Sequence, residues 1–303
     1  MKWILNIVLL GLLSLSGNLL AQTNLPITQR AARLAVGGEL VEARAVIDEA
    51  VGTKEAENAY MWYVHGFIHK EIFKQIENES VASENREIAV ESITRSKELD
   101  ALGQYREDTH HALEYLATTY YNQAVSMVES LDPERLPQVE EYFDKYVEIF
   151  SIADPMHDFQ PLRIQVLKSV AQAYEKVSEN EGGEEKYMNM AIDYYKQALA
   201  LDPEDYEANY NTAIDYYNQG VHRIKRINHK TEIYELLVIQ EECITLFKSS
   251  LPYMLKAHEY DPERKETLIG LMAIYRALND YELSDKYKNT LTDLVERGVI
   301  QDD

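Results

Sequence analysis

A weak internal repeat constrains this chain more than any other feature. Ala191-Ile192-Asp193-Tyr194-Tyr195 recurs as Ala213-Ile214-Asp215-Tyr216-Tyr217. Ala117-Thr118-Thr119-Tyr120-Tyr121-Asn122-Gln123 echoes Ala213 to Gln219, and Leu201-Asp202-Pro203-Glu204 returns as Tyr260-Asp261-Pro262-Glu263. Self-similarity of this kind means stacked units, each too small to bury its own apolar face. Such a scaffold advertises its architecture and conceals its partner.

Residues 1–21 read as a secretory leader. Lys2 is followed by an apolar run from Ile4 to Leu15, a looser Ser16-Gly17-Asn18, and Leu19-Leu20-Ala21. Cleavage after Ala21 would make Gln22 the new terminus. The run is short for the roughly 20 residues of a membrane span. The single cysteine, Cys243, lies deep in the chain, so no thiol follows the leader to carry a lipid, and no internal disulfide is possible. Cys243 is expected to be buried as a small apolar residue. The expected organisation is a signal peptide over 1–21 and one helical repeat domain over 22–303. The expected location is periplasmic or otherwise extracytoplasmic.

Thirty Lys and Arg stand against 52 Asp and Glu, for a net charge of −22. That excess argues against nucleic acid and anionic lipid as partners and allows a basic one.

Beyond residue 23, apolar residues recur at helical spacing almost throughout, with no strand alternation. The pattern predicts twelve helices, near 25–36, 39–52, 57–75, 84–99, 105–130, 133–151, 159–179, 184–200, 204–226, 231–259, 263–278 and 280–297. Asp132-Pro133, Asp154-Pro155, Asp202-Pro203 and Asp261-Pro262 read as helix starts, with Asp as the cap and Pro at the first helical position. Gly182-Gly183 marks a break, and Asn180 to Glu185 reads as a solvated acidic loop.

Paired into hairpins, the first helices carry Ala31, Gly66, Ala117, Ala171, Ala213 and Met272, with Leu34, His69, Tyr120, Tyr174, Tyr216 and Tyr275 three residues on. The second helices carry Ala43, Ala89, Ala191, Ser250 and Ser284, with Phe143 a misfit. In this small-then-aromatic register the chain resembles tetratricopeptide repeats over roughly residues 24–297. The resemblance implies an all-α, right-handed α-solenoid of about six helical hairpins. Ala31 to Ala43 and Met272 to Ser284 keep the family's 12-residue separation, whereas Ala213 to Ser250 is 37 residues. The central hairpins are therefore expected to be elongated. Each arm of the fifth would gain roughly 15 Å at 1.5 Å per residue, turning at the basic stretch Arg226 to Lys230.

The resemblance further implies a concave surface lined by the first helix of each hairpin. It places Tyr60, Tyr63, Tyr121, Asn122, Lys168, Gln172, Tyr210, Ile214, Tyr217, Asn218, Ile269 and Arg276 there. Tyr and Asn combine a rigid apolar face with hydrogen-bonding groups, a mix suited to a protein or peptide. Within the Tyr120-Tyr121 and Tyr216-Tyr217 pairs, the first ring is expected in the core and the second in the groove. The family's carboxylate clamp is not carried over, because only Lys168 and Asn211 stand near its positions.

His65 and His69 sit four apart, a spacing that can put two metal ligands on one helix face. The intervening Gly66-Phe67-Ile68 lacks the Glu of a zinc-protease motif, and both fall on core positions, so packing is expected rather than metal. His110 and His111 are expected to point apart toward solvent. No catalytic constellation and no cofactor are expected. The function expected is a non-enzymatic exported scaffold. The alternatives are a self-assembling envelope subunit and an enzyme on a repeat scaffold.

Overall fold

The computed structural model describes residues 25–301; the leader expected over 1–21 lies outside them. Among the described residues there are twelve α-helices and no strand. These are α1 (Ile27–Val36), α2 (Leu40–Asp48), α3 (Ala59–Gln75), α4 (Glu84–Leu99), α5 (Arg106–Ser130), α6 (Val139–Ala153), α7 (Gln160–Asn180), α8 (Glu185–Leu201), α9 (Tyr206–Lys225), α10 (Ile233–Tyr260), α11 (Lys265–Ala277) and α12 (Tyr281–Glu296). No helix among them is long and apolar enough to cross a membrane. The chain divides into two compact units, 25–120 with 145–156, and 121–144 with 157–301, so α5 and α6 contribute to both.

Helix starts are set by short polar side chains that accept otherwise unpaired N–H groups. Asn58 caps α3, Ser83 caps α4, Asp205 caps α9 and Asp280 caps α12. The Asp-Pro pairs do a different job from the one expected. Asp202 and Asp261 close α8 and α10 rather than opening the next helix. Each of the four Asp side chains accepts the N–H two residues on: Asp132 from Glu134 (3.0 Å), Asp154 from Met156 (3.1 Å), Asp202 from Glu204 (3.0 Å) and Asp261 from Glu263 (3.2 Å). Proline favours the second position of such a turn, which delays the following helix by several residues.

In the first unit α1 packs on α2 and α3, and α3 on α4. Ala31, Ala43, Ile68, Phe73, Ala89 and Leu116 are fully buried. Gly66 is needed for close approach, because a Cβ there would lie 2.7 Å from the Ile93 side chain and 3.1 Å from its backbone nitrogen. Gly66 therefore lies close against Ile93.

In the second unit α7 packs on α8, α8 on α9, α9 on α10, α10 on α11 and α11 on α12, with α11 also reaching α9. The expected partners meet in the long hairpin: the Ser250 hydroxyl donates to the Ala213 carbonyl at 2.7 Å. Ser284 donates likewise to Met272 at 3.0 Å. In the first unit Ser96 donates to Ala59 at 2.9 Å. A small hydroxyl residue thus satisfies itself on the neighbouring helix where the two backbones run close. Cys243 is buried, its thiol 3.4 Å from the Gly220 carbonyl.

Candidate functional site

The first unit holds an open apolar slot of about 510 Å³. Ala32, Ala35 and Val36 of α1 form one wall, Tyr60, Tyr63, Val64 and Phe67 of α3 the floor, and Ala112 and Tyr115 of α5 the other wall. Small residues on α1 leave the space, and rings on α3 and α5 shape it. Tyr105 braces the floor, with Tyr63 stacked on it at 5.3 Å and Tyr60 tilted at 5.8 Å between ring centres. Burial pushes the Tyr63 hydroxyl far above its usual pKa, with the Asp108 carboxylate adding to the effect.

Charge is confined to the edge. Lys70 pairs with Glu71 and lies 5.0 Å over the Phe67 ring and 5.5 Å from the Tyr115 ring centre. Tyr115 donates its hydroxyl to Glu79 at 2.6 Å. Burial would raise the Glu71 carboxyl, but Lys70 and Gln75 outweigh it, so its pKa is lowered and it stays charged. Asp108 and the exposed His111 complete the rim. The volume falls within the range of about 300–1,000 Å³ that holds small ligands or a few side chains. The slot can take an extended apolar segment whose flanking charges meet Lys70, Glu71 and Asp108.

Tyr60 and Tyr63, expected on the inner face, both line the slot, with Tyr63 6% exposed and acting as floor rather than free surface. Phe67 and Tyr115 were missed. Continuing the stripe from Tyr63 by four residues reaches Phe67, and Asp108, Ala112 and Tyr115 follow the same helical spacing on α5.

The second-unit positions depart further from expectation. Lys168 is 5% exposed, and its ammonium is held by Asp205 at 2.9 Å and Glu207 at 2.8 Å. Burial pulls the Lys168 pKa down, the two carboxylates outweigh it, and the net shift is upward. Lys168 therefore ties α7 to α9 and has no charge to spare for a partner. Gln172 donates to Glu207 at 2.7 Å, and Asn211 donates to the Tyr195 hydroxyl at 2.9 Å. Tyr210 stacks on Tyr206 at 5.8 Å between ring centres. Tyr210, Ile214 and Tyr217 pack, half-buried, against the cluster of Ala213, Met254, Leu271, Ile274 and Tyr275.

The tyrosine pairs split only in part. Tyr120 is buried with the Arg86 guanidinium 3.6 Å above its ring, while Tyr121 is half-buried beside Phe143 at 6.5 Å. Tyr216 and Tyr217 are both half-buried. Tyr216 accepts a hydrogen bond from Lys196 at 2.7 Å, and Tyr217 packs on Phe247 at 5.3 Å. Gly220 leaves room for Phe247, which draws the Tyr217 ring into the hairpin rather than out of it. Asn218 is half-buried, and Asn122, Ile269 and Arg276 are exposed.

Three further polar clusters lie among the described residues, and one of them shares His111 with the slot rim. His65 and His69 are buried, as their register implied, and both reach Asp48 at the end of α2. Burial and the neighbouring His69 push the His65 pKa down to about 4. His110 and His111 face solvent as expected, their side chains 37% and 58% exposed, but they do not point apart: both reach Glu114, at 3.4 and 3.1 Å. In the second unit, Asp215 of α9 is 5% exposed beside Glu175 of α7. Burial, then the Glu175 charge, push its carboxyl up to about 9, so it is protonated at neutral pH.

No protein-family profile matches the chain, and no curated protein matches it. Solved structures overlap it loosely. The human IFIT1 dimer with m7Gppp-AAAA is 11% identical over 89% of this chain and 50% of that one, with a TM-score of 0.36. This chain therefore spans about half the length of the IFIT1 chains it overlaps. PilF of Pseudomonas aeruginosa is 12% identical over 88% of this chain and 90% of that one, at a TM-score of 0.32. PilW, a widely conserved type IV pilus biogenesis factor, is 16% identical over 94% and 97%, at 0.31. Overlaps this loose carry no activity or partner across. The small-residue register and the serine contacts between paired helices carry the repeat character themselves. The hairpins are tetratricopeptide-like.

Proposed function

We propose that this chain is a non-enzymatic tetratricopeptide-like scaffold that is exported to the periplasm or another extracytoplasmic space. There it holds a protein or peptide partner in the slot of the first unit. The observation that carries this reading is the slot itself, an aromatic floor and an alanine wall with charge only at the edge. The occupant that fits is an extended segment with an apolar or aromatic anchor and a basic flank facing the exposed Asp108. The net charge of −22 favours the same partner sign. Export rests on the leader-like composition of residues 1–21.

The test is fluorescence anisotropy with a panel of labelled basic–aromatic peptides. Tyr60→Ala and Phe67→Ala should each weaken the best binder by about 1 kcal/mol or more while the fold is retained. Affinity should fall with salt, since screening shortens to about 8 Å at physiological ionic strength. Peptides that bind equally well to both variants would move the partner surface elsewhere.

A second reading, a self-assembling subunit, is favoured by the tip of the α9–α10 hairpin. Ile233, Tyr234 and Leu237 are 80%, 77% and 55% exposed there, an apolar patch beside the basic turn. Sedimentation would decide it: a defined oligomer that Leu237→Glu converts to a monomer supports assembly.

A further inference from the structure

We infer that Asp48, His65 and His69 form a binding site for one divalent transition cation of the zinc class, an inference independent of the slot's partner. Ser92 Oγ lies 2.6 Å from the Ile88 carbonyl, which can only accept, so the hydroxyl donates there. The same Oγ is 2.8 Å from Nδ1 of His65 and must accept from it. Asn85 donates its amide to Glu77 at 2.6 Å, so its oxygen faces Nδ1 of His69, 2.6 Å away, and accepts from that nitrogen. Both imidazoles therefore carry their proton on Nδ1.

The consequence lies on the other side of each ring. Nε2 of His65 and Nε2 of His69 present lone pairs to the same oxygen, Oδ1 of Asp48, at 3.2 and 3.1 Å. Three acceptors converge on one point. A single proton there satisfies one contact and leaves the other as lone pair against lone pair inside the fold. A metal ion satisfies all three.

The geometry suits such an ion. Ligands about 2.0–2.1 Å from a tetrahedral zinc stand roughly 3.3–3.4 Å apart, close to the two observed separations. The donor set of two imidazoles and one carboxylate suits zinc and its neighbours better than calcium or magnesium. Nδ1–H groups fixed by second partners, here Ser92 and Asn85, are the usual support of metal-bound histidines. The histidines are buried while the Asp48 side chain is 48% exposed, which leaves a fourth position open to water. An ion bound there would pin the end of α2 to α3 and staple the first two hairpins together.

Trp62 supplies the readout, since its ring meets His65 edge-on at 5.6 Å. The only other tryptophan is Trp3, so Trp3→Phe leaves Trp62 as sole reporter in the full chain. Co²⁺ added to chelator-treated protein should quench Trp62 saturably at one equivalent, and Zn²⁺, which does not quench, should reverse it. Asp48→Asn, an isosteric change at an exposed side chain, should weaken Co²⁺ at least about tenfold. Ser92→Ala, which frees only the second partner, should cost about 10- to 100-fold. His229→Ala, at the exposed turn between α9 and α10, should leave the Co²⁺ affinity unchanged. Helical circular dichroism identifies any variant that unfolds, and a rise in the wild-type melting temperature on adding Zn²⁺ then serves as the deciding measurement. Quenching that stays linear into the millimolar range, no Zn²⁺ effect on melting, or affinity unchanged by Asp48→Asn in a folded variant would each overturn the assignment.

Discussion

Replacing Asp215 with asparagine should make the protein less sensitive to rising pH. Asp215 lies at the interface of α7 and α9, where the Tyr195 hydroxyl donates to Glu175 at 2.9 Å and Asn211 in turn donates to Tyr195 at 2.9 Å. Burial and Glu175 hold its pKa near 9 in the folded chain, against about 3.9 when unfolded. Between those limits the folded state keeps a proton that the unfolded state has released. Stability from this group is thus complete below about pH 4 and drains away as pH rises toward 9, by about 1.4 kcal/mol per unit. From pH 6 to pH 8 the wild type should lose on the order of 2–3 kcal/mol through the Asp215–Glu175 pair. Asparagine has nearly the same volume, stays neutral and can donate to Glu175. The stability gap between Asp215→Asn and wild type should therefore widen in the variant's favour by about that amount over those two units. Urea unfolding followed by circular dichroism at both pH values measures it. Hydrogen exchange of the α9 amides gives the local value, which matters because repeat arrays need not unfold in one step. Parallel pH profiles for the two proteins would refute the buried-proton argument.

Other substitutions separate the roles of neighbouring positions. Gly66→Ala should cost about 1–3 kcal/mol of stability, because the new Cβ meets Ile93 side chain and backbone. Gly270→Ala should cost less, since it meets only the flexible end of Met254; chemical denaturation ranks the two. Tyr120→Ala should cost about 3–5 kcal/mol by removing a buried ring from under Arg86. Tyr216→Ala, at a half-buried ring, should cost clearly less in the same assay, and equal losses would disprove the difference in burial. Lys168→Met should destabilise the second unit by leaving Asp205 and Glu207 without their shared cation. It should leave peptide binding to the first unit intact, which anisotropy and melting curves together decide.

Much of the local structure was legible in the sequence. Apolar spacing located all twelve helices, and the small residues located the pairing of Ala213 with Ser250 across 37 residues. Both follow from simple rules, since helical periodicity reads side-chain polarity and close backbone approach reads side-chain size. The Asp-Pro turns were misread because Asp and Pro serve helix starts and turns equally well, and only the following backbone chooses. The slot was legible in Tyr60 and Tyr63 but not in Phe67 or Tyr115, whose partners lie on other helices. The repeated pentapeptide marks the limit most sharply. Ala191-Ile192-Asp193-Tyr194-Tyr195 lies in α8, where Asp193 is exposed and Tyr195 fully buried. The same five residues in α9 bury Asp215 and leave Tyr217 half-exposed. Both copies are helical because local sequence alone sets the backbone. α9 packs against α10 and α11 and sets Asp215 beside Glu175 of α7, whereas α8 packs on α7 and reaches the same Glu175 through the Tyr195 hydroxyl instead. Those neighbours, not the residues themselves, decide which side chain is desolvated and which keeps its proton.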